Sequence, residues 1–117
     1  MHKENRIKRV VFVDEKLHKA YLDLEKGRSE EKELALFLKR AIDDLRENPA
    51  CGNKIPRAVW PREYVQKYGI DNLWNYYLPD GWRLVYTLKG NELEIISIIL
   101  EWFNHKEYEK RFGYKSG

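Results

Sequence analysis

A chain of 117 residues with 43% hydrophobic content and a net charge of +3 can bury one core and is too small for two. Charges make up 35% of the residues and no apolar run is long enough to cross a bilayer, so a membrane protein is excluded and a single cytoplasmic domain over 1–117 is expected. The lone Cys51 can form neither an internal disulfide nor a metal-binding cysteine pair.

Arg6 to Val13 (RIKRVVFV) is rich in β-branched residues and ends at Asp14, a helix-capping type, which predicts a first strand. Leu17, Ala20, Tyr21 and Leu24 then recur at helical spacing until Gly27, predicting a helix over 14–26. His18, set between Lys16 and Lys19, reads as a solvated residue. Ser29, Glu30 and Glu31 start a second helix, with acids where the helix dipole favours them. Its stripe of Leu34, Phe37, Leu38, Ala41, Ile42 and Leu45 runs to the stop at Pro49. So short a connection makes the two helices an antiparallel hairpin, a support for one face of a sheet.

From Ala50 to Asp71 the chain has two prolines, two glycines and no sustained period, which predicts a long loop with one helical turn between Pro61 and Tyr68. From Lys54 to Lys67, Lys54, Arg57, Arg62 and Lys67 face only Glu63, while the first fifty residues are nearly balanced in charge. Trp60, Tyr64 and Tyr68 are interleaved with these cations. Two readings stay open: the aromatics stack on unpaired bases, or they cover one end of the core.

The next stretch, LWNYYLPDGWRLVYTLKGNELEIISIILEWFNHKEY, holds three runs of strand-forming residues divided by Pro79-Asp80-Gly81 and Lys89-Gly90-Asn91-Glu92. Such dividers make tight turns, so a three-stranded antiparallel meander is expected, its last strand over Leu93 to Leu100. In the middle strand Trp82, Leu84, Tyr86 and Leu88 point one way, and Arg83, Val85 and Thr87 the other. An arginine is thereby fixed in a rigid sheet, on the face away from the helices. Asn104 can cap a short last helix, HKEYEKRF, in which His105 and Tyr108 share a face; either they reach the sheet together as a site, or His105 is an exposed first-turn residue and Tyr108 packs over the strand edge.

The run Gly81-Trp82-Arg83-Leu84-Val85-Tyr86 resembles the G-[YW]-R-[LV]-[VI]-Y strand of the RelE/ParE superfamily of bacterial and archaeal toxins. The order strand, helix hairpin, basic loop, meander, short helix is similar to that fold along nearly the whole chain, and His105-Lys106-Glu107-Tyr108 resembles the H-x-x-Y ending of the HigB-like branch. The fold implied is α+β, with a mainly antiparallel curved sheet. The function implied is that of a toxin that cuts mRNA, commonly on the ribosome, and is silenced by a cognate antitoxin.

Carried onto this chain, the resemblance makes Arg83 the holder of the scissile phosphate and His105 and Tyr108 its catalytic partners. Lys54, Arg57, Arg62 and Lys106 become further RNA or phosphate ligands. Cleavage by the neighbouring 2′-hydroxyl needs proton transfer and charge stabilisation and requires neither metal nor cofactor. An imidazole with a reference pKa of ~6.5 suits the general acid better than a phenol at ~10, which assigns His105 to the leaving group. Tyr108 is left to orient the phosphate and stack on a base. The antitoxin is expected to carry acidic and apolar residues and to lie on Lys54, Arg57 and Arg62, or to displace the Tyr108 helix. One departure matters: many RelE members have a second arginine after the last strand, where this chain has Glu101-Trp102-Phe103-Asn104. A ParE-like gyrase poison, or an inactive relative that only binds a partner, therefore stays open.

Overall fold

The computed structural model describes residues 5–113. Over these the chain runs β1 (Ile7–Phe12), α1 (Glu15–Glu25), α2 (Ser29–Glu47), β2 (Asn53–Lys54), α3 (Arg62–Tyr68), β3 (Trp74–Tyr77), β4 (Arg83–Gly90), β5 (Glu94–Phe103) and α4 (His105–Phe112). The result is an α+β domain with one open mixed sheet in the order β1-β5-β4-β3-β2. β1 lies parallel to β5 and the other neighbours are antiparallel, so the expected meander is β3-β4-β5. None of the described helices is long and apolar enough to cross a membrane.

Helix ends follow from their capping residues. The Asp14 side chain accepts from the Leu17 amide at 2.8 Å and starts α1, while Glu31 accepts from the Arg28 amide at 3.1 Å and ties down the start of α2. Asn104 and Glu107 exchange side-chain and backbone bonds at 2.9 and 3.0 Å, a reciprocal cap that sets where α4 begins.

The helix hairpin packs on one face only. Leu34, Leu38, Ala41, Ile42 and Leu45 of α2 are buried against Leu84 and Tyr86 of β4 and Ile99 of β5. Full burial of each such leucine is worth roughly 1.5–3 kcal/mol, so this stripe is a main source of stability. Two hydrogen bonds lock the layer to the loop: the Tyr86 hydroxyl donates to the Pro49 carbonyl at 2.8 Å and accepts from the Gly52 amide at 3.0 Å. Glycine is needed at 52, because a Cβ there would stand 2.6 Å from that hydroxyl and 2.8 Å from the Asn75 carbonyl.

The second face has a core of its own. Val85, Leu100 and Phe103 of the sheet are covered by Ile55, Tyr64, Ile70 and Leu73 from the loop region and by Tyr108 and Phe112 from α4. Of the two readings of the loop aromatics, covering the core is the one observed: Tyr64 is fully buried, and Trp60 donates its ring N–H to the Ile55 carbonyl at 2.8 Å.

Two expectations need correction. The last strand continues beyond Leu100 to Phe103, because Leu100 is the extra residue of a bulge opposite the Val85–Tyr86 step and the pairing resumes after it. The loop holds a short strand, β2, paired to β3 through Asn53 and Lys54. His18 is exposed as expected, yet it stacks on Phe12 with centroids 5.0 Å apart.

Candidate functional site

Arg83 opens β4 and pairs with Tyr77 on one side and Phe103 on the other. Directly paired residues share a face, and this row lies opposite the face that α2 covers. The alternation read from the sequence therefore places the arginine as expected. Its guanidinium carbon lies 4.4 Å from the ring centroid of Tyr77 and 5.6 Å from that of Tyr108. One terminal nitrogen donates to the Trp82 carbonyl at 3.3 Å, and the buried Nε has no hydrogen-bond partner. Cation–π contact with two rings holds the group without consuming its donors.

The next row on this face is Asn75, Val85 and Glu101. Asn75 is buried and donates its amide to the Tyr108 hydroxyl at 3.0 Å. Asn75 is the site residue that the sequence reading missed; its signal was a polar side chain at an alternating position of a strand, in register with Val85. Tyr108 itself is only 8% exposed, stacked on Phe112 at 4.5 Å and set edge-on to Phe103. A ring so enclosed can orient Arg83, but the expected base-stacking role does not fit its burial.

His105 begins α4 beside the turn that leads into β4: a Cβ on Gly81 would lie 3.4 Å from the His105 Cβ. That turn runs through Asp80 and Gly81 in left-handed conformations, φ 59° and 79°. The imidazole is exposed, with Nε2 2.6 Å from a Glu109 carboxylate oxygen. Arg83 from β4 and Tyr108 and His105 from α4 thus meet at one end of the meander.

The expected loop ligands are dispersed by comparison. Lys54 pairs with Trp74, which pairs with Tyr86, so its side chain is on the face of the helix hairpin, 5.7 Å from the Trp74 ring centroid. It stands opposite to Arg83, a consequence of the one-residue alternation in β2; Asn53 takes the Arg83 face instead. Arg57 lies over Trp60 at 4.7 Å. Arg62 begins α3 and lines a cleft of about 690 Å³ with Phe103, Glu107 and Lys110. Lys106 is exposed in the first turn of α4.

Where a second arginine was sought, the chain has a carboxylate with partners of its own. Glu101 accepts from the Tyr64 hydroxyl at 2.5 Å and from Arg111 at 3.2 Å, and Arg111 also ion-pairs with Glu63. Burial pushes the Glu101 carboxyl up from its ordinary value, against the opposing pull of the Tyr64 hydrogen bond and of Lys67. Burial and this same carboxylate push the Tyr64 hydroxyl up as well. Arg111 is therefore committed to a lock between α3, β5 and α4, and does not replace the missing cation.

Comparison of the chain with protein-family models, with curated proteins and with solved structures finds no match.

Proposed function

We propose that the chain is a toxin of the RelE/ParE kind, of the HigB-like branch: a metal-independent endoribonuclease that cuts mRNA during translation. One observation carries this reading above all. A half-buried arginine with donors to spare is clasped between two tyrosine rings at a strand start, and a histidine stands against the turn that leads into it. Arg83 would grip the non-bridging oxygens of the scissile phosphate through its planar fork. The 2′-oxygen attacks phosphorus as its proton passes to solvent water, the bond to the 5′-oxygen breaks, and protonated His105 gives that oxygen its proton. The products are a 2′,3′-cyclic phosphate and a 5′-hydroxyl.

Arg57, Arg62 and Lys106 supply positive charge near an anionic substrate, and the same charge would attract an acidic antitoxin segment in the cytoplasm. Lys54, on the opposite face, has a place in this scheme only if the RNA wraps around the β2 edge.

Expression in a translation reaction, with product ends mapped and a chelator added in parallel, tests the proposal. Chelator-resistant mRNA fragments with cyclic phosphate ends are expected. DNA breaks trapped with gyrase would favour the ParE-like reading, and neither product a module that only binds its partner.

A further inference from the structure

Tyr108 is enclosed, so a nucleotide held at Arg83 needs another aromatic surface for its base. Tyr77 is the last residue of β3, paired with Arg83, and 58% exposed. Among the large hydrophobic side chains of the described residues only Ile7 and Leu93 are more open, and Tyr77 is in direct contact with the guanidinium, at 4.4 Å. The contact covers part of the tyrosine and leaves most of it to solvent. It also orients the arginine: a planar cation held against a ring presents its N–H donors outward along its edges, where a phosphate binds them. Phosphate at the guanidinium edge and base against the exposed tyrosine are adjacent places on one strand pair.

We infer that Tyr77 is a nucleobase platform, stacking the base next to the phosphate that Arg83 holds on single-stranded RNA. The inference rests on the nuclease reading and deepens it by naming the residue that takes a base. Stacking on a tyrosine tolerates any base, since each has a π-face, so Tyr77 would add affinity and fix the register of the cut without setting a sequence code.

The test is fluorescence anisotropy of the whole chain with a short 2′-O-methyl RNA, which cannot be cleaved, and with versions carrying one abasic position each. Tyr77→Ala should weaken binding of the intact oligonucleotide by about 5- to 150-fold, the usual range for losing one stacked base. Tyr77→Phe should bind like the parent. At one abasic position the parent should lose the same factor, and Tyr77→Ala should lose nothing more. Arg83→Gln should weaken intact and abasic RNA alike. If Tyr77→Ala binds as tightly as the parent, or weakens every abasic version by the same factor as the intact RNA, the tyrosine merely positions Arg83 and the platform is overturned. A parent that binds no free RNA overturns the platform, whereas the nuclease reading stands or falls with the translation reaction.

Discussion

The side-chain amide of Asn75 donates to the hydroxyl of Tyr108 at 3.0 Å where both residues are buried. This bond joins β3 to α4 and fixes the ring that stands against Arg83 at 5.6 Å. The placing of the arginine thus depends on a contact between two elements that do not include it.

Tyr108→Phe would leave the Asn75 amide unsatisfied in the second core. A stability loss of about 1–3 kcal/mol is expected from urea denaturation, the penalty for an orphaned buried donor. With Asn75→Ala the two effects should fail to add by about 0.5 kcal/mol or more, as for residues in contact. Strict additivity would show that the bond contributes nothing.

Arg83→Ala should lower single-turnover RNA cleavage by about 10²- to 10³-fold, the usual cost of removing one donor that meets transition-state charge. Arg83→Lys keeps the charge and loses the fork, so only part of the rate should return. Circular dichroism must report both variants folded. A folded Arg83→Ala that cuts at the parental rate would make the arginine structural.

A substrate with sulfur at the 5′ bridging position separates the roles of His105 and Tyr108, because a thiolate leaves without a proton. His105→Ala should be slow on ordinary RNA and near the parental rate on the sulfur substrate, while Tyr108→Phe should gain little from sulfur. The opposite pattern would make Tyr108 the acid. Glu109 holds the imidazole through Nε2, which leaves Nδ1 for the exchange.

Stability should depend on pH through Glu101, whose carboxyl is raised in the fold by burial. The folded state then keeps this proton to higher pH than the unfolded chain does. The contribution is complete below the ordinary glutamate range and is lost as pH rises through the raised value. Melting temperatures followed from about pH 4 to 8, a range that spans the reference glutamate value, should show this fall. Glu101→Gln retains an acceptor for the Tyr64 hydroxyl and should flatten it; an unchanged slope would place the titration elsewhere.

Elements with strong local rules could be read from the chain alone. Asp14 and Asn104 cap the helices they were expected to cap, and the Pro79 to Gly81 turn sets the alternation that puts Arg83 opposite α2. What escaped depends on contacts between distant residues. The bulge at Leu100 breaks the period of two, so the strand seemed to end there. The face taken by Lys54 is decided by a two-residue pairing with Asn75 and Trp74 that no local pattern announces. Tyr108 packs against the sheet, as one of its two readings had it, with Phe112 one helical turn beyond it at the spacing of an apolar pair that faces a core.

The parallel pairing of β1 with β5 bears on how the protein is made. Ile7 is matched with Glu94 and Phe12 with Ile99, so β1 has no partner until β5, the last strand of this sheet in chain order, is synthesised. At about 5–20 residues per second the nascent chain spends several seconds with this edge unpaired. The helix hairpin and meander can form from nearer neighbours, but the loop that β1 and β5 close holds most of the domain, and such closure is slow. The sheet gains its β1 edge only after the rest of its strands have been synthesised.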